Sequence, residues 1–149
     1  MAINLLFIFC ILVQICVGAF VSGLDAGQIY PSWPLMGQNY FPDDSNINDL
    51  FNFNSFENPS IVQFVHRNVA YFILLIFIFI LSKVFLSKNF FHFKKITLVV
   101  FLLLLLQIFF GILTVLYAAP IILASIHQIT SIFLIISSLV LLYENSRIS

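Results

Sequence analysis

Two histidines, His66 and His127, carry most of the chemistry this sequence offers, because each lies inside a long apolar run. An ionisable group in hydrocarbon costs about 2.5 to 3.5 kcal/mol on insertion scales, which makes it a functional candidate by default. His66 is five residues past Ile61 and His127 six past Ile121. At the rise of a helix these offsets are about 7.5 and 9 Å, so the two imidazoles sit at one level. Two readings are open. The rings can hydrogen-bond neighbouring helices, or they can face each other across a bundle and share a metal. Zinc or copper would call for third and fourth ligands, and no Cys, Asp or Glu stands at that level. Iron in a porphyrin brings four nitrogens of its own, so two axial imidazoles suffice, and the spacing points to a bis-histidine haem. Arg67 follows His66 about 100° round the helix, where it can pair with a haem propionate or carry its head group to the water surface. His92 falls in a Lys-rich link and reads as a solvated loop residue. No residue reads as catalytic.

The elements that position these residues are four apolar runs, 5–21, 61–81, 96–117 and 121–143, each near the roughly 20 residues needed to cross a bilayer. Of 149 residues, 62% are hydrophobic and 8% charged. Soluble domains carry roughly 45–50% and roughly 25%, so the composition excludes a water-soluble globule. Six basic residues balance six acidic ones. Without a basic stripe, nucleic acid is excluded as a partner. The lipid bilayer is the implied one. Alternation of the porin type is missing, and open strands would leave backbone groups unpaired in lipid. The expected fold is all-α: a single polytopic membrane domain over residues 1–149, a four-transmembrane-helix bundle with a long outer loop, 22–60, between helices 1 and 2 and an inner loop at 82–95.

Lys83, Lys88, Lys94 and Lys95 crowd the inner loop, whereas the long loop holds Asp25, Asp43, Asp44, Asp49 and Glu57 with no Lys or Arg. The positive-inside rule places the Lys-rich link and both termini on the cytoplasmic or matrix side. Arg147 agrees. This topology suits a bacterial cytoplasmic membrane or a mitochondrial inner membrane equally. Trp33, Tyr30, Tyr40 and Tyr117 fall near the outer boundary, where amphipathic rings prefer to sit. Cys10 and Cys16, about 9 Å apart along one helix, are too distant for a disulfide. The first run also admits a signal-peptide reading, with Val17-Gly18-Ala19 as the cleavage site, although no Lys or Arg precedes it.

An internal repeat runs through the chain. Gln14-Ile15-Cys16-Val17-Gly18 in the first span matches Gln107-Ile108-Phe109-Phe110-Gly111 in the third, and each is followed by a span whose outer end carries a histidine. Gln and Gly four apart share a helix face, where Gly admits a close neighbour and Gln can bond across. Two such hairpins would clamp one planar cofactor symmetrically.

These residues also carry a resemblance. The stretch Gly18-Ala19-Phe20-Val21-Ser22-Gly23-Leu24-Asp25-Ala26-Gly27, then Tyr30 and Trp33-Pro34-Leu35-Met36-Gly37, resembles the loop opening the C-terminal half of haem A synthases. Phe56-Glu57-Asn58-Pro59 leading into Val62-Gln63-Phe64-Val65-His66-Arg67 is similar as well, and Ala124-Ser125-Ile126-His127-Gln128 looks like that family's last histidine motif. Pro31 departs from the pattern, standing where an Asn is expected after the loop tyrosine. The resemblance implies an eight-span oxidoreductase of two four-helix halves that converts haem O to haem A for cytochrome oxidase. It implies that the C-terminal half holds haem b through the histidines matching His66 and His127, whereas the haem O site and a catalytic carboxylate belong to the N-terminal half. Met1 falls just before the family's fifth span, so the expectation is a haem b-binding half, inactive without a complementary N-terminal half, as a split subunit, a degraded copy or an incomplete gene model. Assembly with a second copy is the other option. A bis-histidine electron-transfer cytochrome b is the alternative function. The loop motif argues against cleavage at Ala19, which would cut through it.

Overall fold

The computed structural model describes residues 1–87 and 93–147; Lys88 and His92 of the Lys-rich link lie outside the described residues. Four long helices make up the fold: α1 (Ala2–Gly23), α2 (Pro59–Leu86), α3 (Lys94–Leu116) and α4 (Ile121–Ser146). Among the described residues there is no β-strand, only an isolated bridge between Met36 and Asn39. All four helices are long and apolar enough to cross a membrane, and the protein is an integral membrane protein. The helices overrun the apolar runs because their ends obey backbone capping rather than hydropathy. Asn58 caps α2, its side chain accepting from the backbone N–H of Ser60 at 3.0 Å and of Ile61 at 3.3 Å, with Pro59 at the first helical position.

Each helix packs on two others. α1 lies against α2 and α4, and α3 lies against α2 and α4, which makes α2 and α4 diagonal partners across the bundle. The end of α1 meets the start of α2, and α3 turns directly into α4. Ala118 and Ala119 make that turn with φ of 57° and 56°, left-handed values that cost a non-glycine residue about 1–2 kcal/mol each. Gly27, in a 3-10 turn over Ala26–Gln28, sits so close that a methyl on it would lie 3.0 Å from the Ala119 methyl. This contact holds both helical hairpins at one end of the bundle, here termed the loop end.

The apolar core fills the opposite end. Phe7, Cys10 and Ile11 of α1, Ile73, Ile76, Phe77, Ile80 and Val84 of α2, Val100 and Leu104 of α3, and Leu134 and Leu141 of α4 form one buried cluster. Their spacings of three and four residues give each helix an inward stripe. Phe77 anchors the layer, with Phe7 at 4.8 Å between ring centroids and Phe101 stacked at 6.2 Å. Toward the loop end this filling continues in α1 and α2, through Val17, Ile61 and Val62, but stops in α3 and α4. Among the described residues, α3 buries nothing beyond Leu104 and α4 nothing before Leu134.

The segment Leu24–Asn58 caps the loop end along one face of α2. Ser60, Gln63, Arg67 and Tyr71, spaced three or four apart, all bond to it. Ser60 donates to Asp44 at 2.7 Å, Gln63 to the Tyr30 carbonyl at 3.2 Å, and the indole N–H of Trp33 to the Tyr71 hydroxyl at 2.9 Å. Tyr40 adds a 2.6 Å bond to Asn68. Gly37, at φ 78°, makes the tight reversal that lets Met36 bond back to Asn39. Met36 and Ala26 are buried beneath this cap.

Candidate haem-binding site

The repeat noted in the sequence becomes a repeated piece of geometry. His66 on α2 lies against Gly18 of α1, where a methyl would come 3.1 Å from the ring's Cε1. His127 on α4 lies against Gly111 of α3, where the same distance is 3.0 Å. Either glycine is five residues from the last residue of its helix, so the two rings sit at matched depth. Only a residue without a side chain lets an imidazole approach a helix backbone this closely.

Glutamine completes each pair. Gln14 donates through Nε2 to the main-chain carbonyl of His66 at 3.0 Å, with the ring's Nε2 at 3.2 Å. Gln107 does the same to His127, at 2.9 Å and 3.4 Å. In both histidines Nδ1 is buried with no partner. A buried, unsatisfied ring nitrogen costs about 1–3 kcal/mol, and here the cost recurs at equivalent places in both hairpins.

The chain belongs to the cytochrome oxidase assembly protein family. That family's model (COX15-CtaA) matches residues 1–139. Among curated relatives, the heme A synthase of Pelagibacter ubique (strain HTCC1062) is 46% identical over 137 residues, covering 92% of this chain and 40% of that protein. Heme A synthase of Rickettsia felis is 43% identical over 125 residues, covering 84% of this chain and 36% of the relative. That of Rickettsia prowazekii is 39% identical over 125 residues, covering 84% and 37%. The chain thus spans about two-fifths of the length of these relatives. No solved structure gives a significant match.

A haem group fits the residues present in this family member. The donor set is two histidines, and among the described residues no cluster of three His, Cys, Asp or Glu side chains forms. Such a set suits a metal that arrives with its own equatorial ligands better than a bare ion. The glycine seats and the partnerless ring nitrogens fall at one level of the bundle.

Arg67 has a position that spacing did not reveal. It is 8% exposed, and its guanidinium donates to the carbonyls of Tyr30 at 2.9 Å and Leu35 at 3.3 Å. The head group is therefore turned into the loop cap and not spread on the water surface as a snorkelling side chain would be. Its Nε is buried without a partner. Gln63, 1% exposed, shares the Tyr30 carbonyl with it. Gln63 stands in a motif that gives it no role, and nothing in the sequence marks Ser60 or Thr130. Thr130, one turn beyond His127, donates to Gln107 Oε1 at 2.5 Å, and no local pattern marks it.

Charges in the cap are tuned by hydrogen bonds. The backbone N–H of Gln38 and the amide of Asn39 hold the Asp43 carboxyl below its usual range. Burial pushes Asp44 upward, but bonds from Ser60, Tyr30 and Ser45 outweigh it and leave the group lowered. Burial and the neighbouring Asp44 push the Tyr30 phenol up. Cys10 is buried, Cys16 is exposed, and both are free thiols.

Proposed function

We propose that this chain is the haem b-binding part of a haem A synthase, an oxidoreductase that converts haem O to haem A for cytochrome oxidase. His66 and His127 would hold the haem iron. The observation that carries the reading is the duplicated Gln-Gly-His arrangement, in which two half-buried histidines at one depth, on diagonal helices, each keep a buried ring nitrogen free of protein partners. Bound haem supplies a one-electron iron centre. The chain's own residues do the rest: Gly18 and Gly111 seat the rings, and the apolar core closes the site on the side away from the loop.

Arg67 serves as the cofactor's cationic neighbour, offering its buried Nε to a haem propionate while its other nitrogens hold the loop. Production of haem A requires the remaining three-fifths of the family's length, on the same polypeptide or supplied by a complementary half. The loop end faces the non-cytoplasmic side, and Lys83, Lys94 and Lys95 face the cytoplasm or matrix.

Expression in a bacterial membrane with haem supplied tests the reading. The purified protein should show a six-coordinate, low-spin haem b spectrum, which either His66→Ala or His127→Ala should abolish. Haem A should form only when the rest of the enzyme is present. Purification without haem, or an unchanged spectrum in both variants, overturns the proposal.

A further inference from the structure

The two glutamines do more than accompany the histidines. In each hairpin the glutamine amide donates to the histidine's main-chain carbonyl, and this bond sets the amide nitrogen beside the ring, 3.2 Å from Nε2 of His66 and 3.4 Å from Nε2 of His127. The bond to the carbonyl keeps the amide beside the ring whatever the ring nitrogen is doing. The halves differ at the other end of the amide. Gln107 Oε1 accepts from Thr130 Oγ1, which also reaches the His127 carbonyl at 2.9 Å, closing a small network. Gln14 Oε1 is buried with no partner.

Resting on the haem reading above, we propose that Gln14 and Gln107 are positioning residues that set the planes of the two axial imidazoles, and that Thr130 locks only the second of them. His127 is then the stiff ligand and His66 the adjustable one. Groups that orient a metal's ligands from behind typically account for about 10–100-fold in metal affinity. A glutamine that merely blocked a ring nitrogen would have the opposite sign, since its removal would tighten haem.

The test uses the full chain in membranes, loaded with haem b, with haem retention measured against a competing haem-binding protein and the low-spin signal read by electron paramagnetic resonance. Gln14→Leu and Gln107→Leu should each lose about tenfold or more in retention and shift the low-spin g values. Thr130→Val should shift the signal as Gln107→Leu does, add nothing to it in the double variant, and add to Gln14→Leu. Ser138→Ala, whose hydroxyl bonds within the core to the Leu134 carbonyl at 2.7 Å, controls for loss of helix stability and should leave the g values unchanged. Unchanged signals and retention in the glutamine variants, tighter retention, or additivity of Thr130→Val with Gln107→Leu overturns the inference while leaving haem binding intact. Failure of the unaltered protein to bind haem overturns the underlying reading, and this inference with it.

Discussion

Adding one methyl at Gly18 or Gly111 should separate folding from haem binding. An Ala Cβ at Gly18 lies 3.1 Å from the His66 Cε1, and at Gly111 3.0 Å from the His127 Cε1, so the ring must give by a few tenths of an ångström. In the haem-free protein the imidazole can swing aside, and the helix gains about 0.5–1 kcal/mol from replacing a mid-helix glycine. With iron bound the ring cannot move, and overpacking of this kind costs about 1–3 kcal/mol. At tenfold per 1.4 kcal/mol, that is about a 5- to 150-fold loss of haem retention. The two effects have opposite signs, so thermal unfolding of the haem-free variants should be unchanged or slightly raised while retention in a competition assay falls. Gly23→Ala is the control, because nothing lies within 4 Å of its added methyl, and it should retain haem normally. If Gly18→Ala and Gly111→Ala keep haem as tightly as the unaltered protein with the same visible spectrum, the glycine seats are not part of a haem site.

Asn58→Ala removes the cap of α2 and should lower stability by about 1 kcal/mol in denaturant unfolding, with haem absorption unaltered in the protein that remains folded. Arg67→Lys keeps the charge but cannot fork to the Tyr30 and Leu35 carbonyls, so limited proteolysis should cut the segment between Leu24 and Asn58 faster than in the unaltered protein. That cap should also be pH-sensitive at both extremes. Asp43 and Asp44 are lowered in the folded protein, so their contribution is present above the carboxylate's unfolded value, about 3.9, and is lost as pH falls through the folded value. Tyr30 is raised, so its contribution is present below about pH 10 and is lost as pH rises through the folded value. Protection of the loop amides, corrected for the intrinsic pH dependence of exchange, should therefore be highest between about pH 4 and pH 10, and a loss of protection at neutral pH would contradict the assignment.

Hydropathy made the four helices legible because a bilayer demands some 20 apolar residues and leaves the backbone no alternative to a helix. His66 and His127 stood out because ionisable groups are rare in such runs. The Q-I-x-x-G repeat marked Gln14, Gly18, Gln107 and Gly111 as belonging together, since a helix puts residues four apart on one face. It did not say that each pair would close on the histidine of the following span. That depends on how antiparallel helices slide against one another, which side-chain volumes across the interface decide.

The direction of Arg67 was hidden for a related reason: its helix phase was readable, but the carbonyls it meets belong to a loop some thirty residues upstream whose path no local spacing encodes. Thr130 stayed silent because a threonine in a membrane helix usually bonds its own backbone, and only the neighbouring helix brings Gln107 Oε1 within reach. The sequence by itself therefore determined the membrane class, the helix count and the two ring positions, all consequences of local composition against a slab of hydrocarbon. Only the tertiary structure decided which side chains stand behind each ring, because contacts between helices are selected by packing across the bundle and leave no periodic trace along the chain.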